Sequence, residues 1–175
     1  MPSVTTYKYK TATHFTDIRI KPKFLILHHT ASLNDCSNYL AKPSDGRKVS
    51  VHIHINRKGI ITHYSNLIDF TEHWVKKAYH AGTSRWGKYE NLNNHSIGIE
   101  QDGGVKGPDG IWLPFTQAQR AALDYEVIMV CETFNISAKN VLGHKEISPG
   151  RKNDPEPFDM VWYRNWIHKQ LLEDA

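Results

Sequence analysis

The chain has 175 residues, which is the length of about one domain and is enough to bury a sizeable core. Hydrophobic residues make up 39% and charged residues 23%, a globular composition that excludes a disordered or fibrous chain. The net charge is +4, and no apolar run approaches the ~20 residues that span a bilayer, so a membrane protein is excluded.

The first predicted elements are strands. The apolar segment 23–29 predicts a buried strand, and segments 51–55 and 60–64 predict a hairpin whose turn ends in Gly59. A further short strand is predicted at 96–100.

Two helices follow, separated by a short strand at 141–142. Thr116 is a suitable cap for a helix that runs to about Phe134, and a second helix is predicted over 159–172. Two aromatic residues of the second helix are expected in the core: Trp162 and Trp166. This order predicts an α/β fold, a single domain with a mixed central β-sheet flanked by helices.

Histidine is abundant, with 11 residues, and three places hold candidate metal ligands: the pair His28-His29, His144 and Asp154. Because side chains alternate across a strand, His28 shares a face with Phe24 and His29 points the other way. Two imidazoles and one carboxylate with an open fourth position are typical of a catalytic zinc site. A lone histidine is more often a hydrogen-bonded core or surface residue, and spacing alone leaves that interpretation open.

The order of five motifs carries a resemblance to a known family. They are ILHHTAS at 26–32, VSVHIHINRKGII at 49–61, YHAG at 79–82, NHSIGIEQDGG at 94–104 and GHKEISPGRKNDP at 143–155. Over roughly residues 23–170 the chain resembles the zinc-dependent type-2 N-acetylmuramoyl-L-alanine amidases. This family includes phage lysins, muropeptide amidases and peptidoglycan recognition proteins.

The resemblance implies a zinc ion held by His28, His144 and Asp154. It also implies Glu100 as the general base and Lys152 as a second positive contact to the reacting carbonyl. The resulting division of the chain is an N-terminal segment at 1–22 and one zinc amidase catalytic domain at 23–175.

Substrate contacts are implied for three residues: His80, Asn94 and Trp86. Partial burial against the loop is an equal alternative for Trp86. His52 and His54 share one face of their strand. They could bind a second metal or pack within the sheet, and packing is the favoured role.

The favoured function is a phage or prophage lysin that cleaves the bond between N-acetylmuramic acid and L-alanine in peptidoglycan. The alternatives are a cytosolic muropeptide-recycling amidase and a non-catalytic peptidoglycan-binding module. No signal peptide is visible, so we expect synthesis in the cytoplasm and action on the cell wall after release. The expected partner is bacterial peptidoglycan, without nucleic acid or membrane, and the expected state is a monomer.

Overall fold

The fold is built on a six-stranded sheet with two small sheets beside it, in a computed structural model that describes residues 5–173. The strands are β1 (Tyr7–Lys10), β2 (Arg19–Ile20), β3 (Phe24–His29), β4 (Ile53–Ile55), β5 (Ile61–Tyr64), β6 (Ile68–Asp69), β7 (Trp74–Lys76), β8 (Arg85–Trp86), β9 (Tyr89–Glu90), β10 (Ser96–Gln101) and β11 (Val141–Gly143). The helices are α1 (Ser37–Ala41), α2 (Gln117–Phe134), α3 (His144–Ile147) and α4 (Met160–Glu173), with 3₁₀ turns at Leu92–Asn94 and Ala138–Asn140.

The large sheet has the strand order β1-β5-β4-β10-β3-β11. Strands β4 and β5 are antiparallel, whereas β10 runs parallel to both β3 and β4, and β11 runs parallel to β3. The sheet is therefore mixed, and the predicted α/β fold class is confirmed. The predicted N-terminal segment contributes a strand to each of two sheets. β1 pairs with β5 in the six-stranded sheet, and β2 pairs with β7 in the three-stranded sheet.

Helices α2 and α4 cover one face of the large sheet. Leu25, Leu27 and Ile99 of the central strands share a core there with Val127 of α2 and Ile167 of α4. The residues that alternate with them along β3 point to the other face, where a smaller apolar cluster lies against the loops. The site described below continues this second face at the carboxyl ends of β3 and β10.

The longer predicted elements are confirmed. Thr116 caps α2 through a capping box, since its Oγ1 accepts from the Gln119 backbone N–H and Gln119 Oε1 accepts from the Thr116 N–H, both at 3.1 Å. The expectation for Trp162 is wrong, because its side chain is 53% exposed, whereas Trp166 packs against the core. No helix within residues 5–173 has the length and apolarity to cross a bilayer.

Candidate metal centre and active-site cavity

Three buried side chains converge where β3, α3 and the loop before α4 meet. His28 Nδ1 lies 2.9 Å from His144 Nδ1 and 3.1 Å from Asp154 Oδ2, and His144 Nδ1 lies 2.9 Å from the same oxygen. The sequence separates these residues widely, but β3 and β11 are paired, which brings the residue after β11 beside the end of β3. The structure thus brings together the three predicted ligands as a possible metal site.

The ring of His144 is held in one tautomer. Its Nε2 lies 3.0 Å from the carbonyl oxygen of Ala81, and a carbonyl can only accept, so Nε2 carries the proton and donates it. With that proton on Nε2, the lone pair of Nδ1 can face the centre of the triad. Such a backbone partner is the usual way in which a protein orients a metal-binding imidazole.

His28 is oriented by a chain of hydrogen bonds that ends on the backbone. Ser96 Oγ donates to the Leu92 carbonyl, so it accepts from His80 Nε2–H at 3.3 Å. His80 Nδ1 is then the acceptor for His28 Nε2–H at 3.0 Å. This leaves the lone pair of His28 Nδ1 free to face His144 and Asp154. Burial lowers the pKa of His28 to about 4, with a further contribution from His144, so the ring is neutral at neutral pH.

The third candidate ligand is ionised. Burial alone would raise the pKa of Asp154, but the adjacent imidazoles of His144 and His28, with Nδ1 at 2.9 and 3.1 Å from its Oδ2, hold it well below the usual range of a carboxyl group. Two imidazole lone pairs and one carboxylate oxygen therefore point at one centre.

Two glycines of the sequence motifs make this arrangement sterically accessible. A Cβ on Gly98 would lie 2.6 Å from His80 Nδ1, so the glycine of SIGIE leaves room for the imidazole that orients His28. A Cβ on Gly143 would lie 2.8 Å from Cδ of Pro155, so the glycine of GH allows the DP segment to approach. Both glycines thus help to place the candidate ligands.

Glu100 lies beside the triad without belonging to it. It is in register with His28 on the neighbouring parallel strand, so both side chains are on the same face of the sheet. Burial raises the pKa of Glu100 to about 8, the charge of Asp154 adds to the rise, and Lys152 opposes it. A cation held by the triad would oppose the rise in the same way, which favours the carboxylate form near neutral pH.

A cavity of about 720 Å³ opens over these groups and is lined by the triad, Glu100 and Lys152. His80 lies at its floor and is buried, where it contacts His28. The described lining of this cavity includes neither Asn94 nor Trp86, and Trp86 is 37% exposed on the β8–β9 hairpin.

Two residues that hold the loops around the site were not predicted from the sequence: Asn93 and Arg151. Asn93 Oδ1 accepts from the backbone N–H groups of His80 and Ala81 at 3.0 and 2.7 Å, which fixes the YHAG segment. Arg151 donates to the carbonyls of Ala81 and Thr83 at 3.1 and 2.7 Å and closes the loop before Asp154 over the same segment. The sequence offers no signal for these contacts beyond the motifs in which the residues lie.

By strand alternation His29 belongs to the face opposite His28, although it still contributes to the lining of the cavity at the end of β3. Its ring centroid lies 5.9 Å from that of Trp112, and neither ring nitrogen has a hydrogen-bond partner among the described residues.

We therefore expect different outcomes from neighbouring substitutions. His28→Ala removes a nitrogen of the triad and should abolish metal binding, whereas His29→Ala should keep the metal. The loss of packing in His29→Ala is offset by the removal of two buried unpaired nitrogens, so the free energy of unfolding should change by less than about 1 kcal/mol. Metal content and chemical denaturation of both variants test this, and equal metal loss in the two would contradict the assignment.

Comparison with known proteins places this geometry in a family. The family profile described as N-acetylmuramoyl-L-alanine amidase (Amidase_2) matches residues 19–157. The chain is 36% identical over 124 residues to the 1,6-anhydro-N-acetylmuramyl-L-alanine amidase AmpD of Escherichia coli, covering 70% of this chain and 61% of that protein. The chain belongs to the N-acetylmuramoyl-L-alanine amidase family, and it spans about three fifths of the length of that relative.

Solved structures agree with the fold. A crystal structure of a selenomethionine AmpD derivative has a TM-score of 0.70 at 25% identity, with 93% of this chain and 94% of that chain covered. The amidase AmiD of E. coli, solved with anhydro-N-acetylmuramic acid-L-Ala-D-gamma-Glu-L-Lys, has a TM-score of 0.64 at 28% identity, with 87% and 59% covered. An endolysin from Clostridium intestinale has a TM-score of 0.66 at 17% identity, with 98% and 99% covered, and shows the fold alone.

Proposed function

We propose that the protein is a zinc-dependent amidase that cleaves the bond between the muramic acid lactyl group and L-alanine in soluble anhydro-muropeptides. The observation that carries this proposal is the convergence of His28, His144 and Asp154 beside Glu100 at the floor of an open cavity. The non-catalytic alternative is disfavoured, since a pure binding module has no need of a complete ligand set with a carboxylate next to it.

The donor set fits zinc. Two neutral imidazoles and one carboxylate are the ligands of catalytic zinc sites that keep a position open for water or substrate, and both imidazoles have the outer hydrogen bonds that such ligands need. In this proposal His28, His144 and Asp154 hold the ion. When bound, zinc supplies a Lewis acid for the scissile carbonyl and lowers the pKa of water.

Two other residues handle the proton and the charge. Glu100 accepts a proton from the attacking water at its carboxylate and returns one to the leaving amine of L-alanine. Lys152 lines the same cavity with its side chain exposed, so its ammonium group can approach the carbonyl oxygen as negative charge develops there.

The choice of substrate rests on the relatives. The protein with 36% identity is named as an amidase of 1,6-anhydro-N-acetylmuramyl-L-alanine, and the AmiD complex contains an anhydro-muropeptide. The endolysin resemblance, at 17% identity, extends to the fold alone. These comparisons favour the recycling alternative over the phage lysin that the sequence analysis favoured.

A direct substrate comparison tests this choice. With anhydro-N-acetylmuramic acid-tripeptide and intact sacculi supplied at equal muramic acid concentration, we expect the soluble substrate to be cleaved at least about tenfold faster, which equals ~1.4 kcal/mol of discrimination in the transition state. Release of free peptide measured by liquid chromatography gives both rates, with His144→Ala as the control for contaminating hydrolases. Faster cleavage of sacculi would favour the lysin, and no cleavage of either would contradict the amidase.

A further inference from the structure

A second group of metal-binding side chains lies on the same face of the sheet, outside the triad. One candidate ligand atom each from Asp35, His54 and Asp102 lies within 4.8 Å of the other two. His54 of β4 is in register with Glu100 of β10, so this cluster lies on the side of Glu100 away from His28. It shares no residue with the triad.

The carboxylates in this cluster have no lysine or arginine partner among the described residues, and the imidazole of His54 is their nearest basic group. His54 and Asp102 are both fully buried, with His54 Nε2 at 2.9 Å from Asp102 Oδ1. Among residues 5–173, no lysine or arginine forms an ion pair with Asp35 or Asp102. Asp102 Oδ2 and His54 Nδ1 are buried and have no hydrogen-bond partner in the part of the chain that the structure describes. An ionised carboxylate in such a position is costly unless a cation accompanies it.

Asp35 supplies a second carboxylate and access to solvent. Its desolvation opposes ionisation, but hydrogen bonds from Asn56 Nδ2 and the Ser37 backbone N–H lower its pKa to about 2. The residue is exposed at the surface, whereas its two partners in the cluster are buried. The cluster therefore joins a buried imidazole and carboxylate to an ionised carboxylate that an ion can reach from water.

We propose that Asp35, His54 and Asp102 form a second binding site for a divalent cation of the zinc type. One imidazole and two carboxylates are a donor set that zinc accepts, and two negative charges match its double positive charge. The packing role that the sequence favoured does hold for His52, whose Nε2 donates to the Lys76 carbonyl and whose Nδ1 accepts from the Gly98 N–H. His54 lacks such a complete set of partners.

The site links the sheet to one wall of the active-site cavity. Asp102 Oδ1 accepts from Thr30 Oγ1 and from the Cys36 backbone N–H, both at 3.3 Å. Thr30 and Cys36 line the cavity, and Asp35 lies between them in the same loop. A cation on Asp35 and Asp102 therefore fixes this loop to the end of β10, independently of whether the protein is an amidase.

The test is zinc stoichiometry after equilibrium dialysis against buffered Zn²⁺, read by mass spectrometry of the metal. We expect about two zinc ions in the wild type and one in Asp35→Asn, because loss of even an outer-shell partner weakens metal binding by about 10–100-fold and loss of a ligand weakens it further. Asp35 is exposed, so the substitution leaves the core intact. Asp109→Asn is the matched control. Asp109 is also exposed, and its Oδ1 accepts a hydrogen bond at 3.0 Å from the backbone N–H of Ile111, two residues further along the chain.

The remaining variants separate the two sites. His144→Ala should bind one zinc, and the double variant with Asp35→Asn should bind none. Zinc should also raise the melting temperature of His144→Ala, as any ligand of the folded state does, and not that of the double variant. Equal zinc content in Asp35→Asn and the wild type overturns the second site, whatever the hydrolysis assays show.

Discussion

His144→Ala is expected to remove one equivalent of zinc and to reduce amidase activity to background. His144 Nδ1 is 2.9 Å from both His28 Nδ1 and Asp154 Oδ2, so its loss leaves two donors where three converge. A Lewis acid contributes several kcal/mol to the stabilisation of the developing charge, and each ~1.4 kcal/mol is a factor of ten, so we expect a loss of about 10³-fold or more. Turnover of anhydro-muropeptide and metal content are measured on the same preparation.

This variant needs a control for folding, because Asp154 loses contact with one of its two imidazole neighbours. His52→Gln is a suitable comparison, because His52 is also a fully buried histidine of the same sheet face but lies outside the triad. We expect His52→Gln to lower stability while zinc content stays near that of the wild type. An unchanged zinc content in His144→Ala would reject the triad as the metal site.

Glu100→Gln should separate proton transfer from metal binding. The amide keeps the shape of the side chain but cannot take a proton from water, and loss of a general base typically lowers the rate by about 10²–10⁴-fold. Zinc content and melting temperature should stay near those of the wild type, because Glu100 lies beside the three ligands and not among them.

The pH dependence provides a second measurement for Glu100. A carboxylate base acts above its pKa, so the rate of the wild type should fall as the pH decreases through that value. Burial raises the pKa of Glu100 to about 8 in the absence of metal, and bound zinc lowers it. The residual activity of Glu100→Gln should lack this acidic limb. If the variant turns over at the wild-type rate with the same pH profile, the base is another residue.

Much of this architecture was predictable because it depends on local patterns. The apolar run of β3, the cap at Thr116 and the turn at Gly59 each specify their element through neighbouring residues. The alternation of side chains separated His28 from His29 without any tertiary information. Short strands such as β6 and β8 escaped prediction, since a strand of two residues has no measurable period.

The sequence by itself therefore indicated the longer strands and the long helices, and the resemblance of its motifs to a known family indicated the three candidate ligands. The tertiary structure decided the contacts that depend on distant segments meeting. It placed His80 behind His28 as an orienting partner, brought Asp35 of a loop to His54 of β4 and to Asp102 just after β10, and exposed Trp162. The physical reason is that hydrogen bonds, burial and charge balance are set by neighbours in space, whereas periodicity and capping are set by neighbours in sequence.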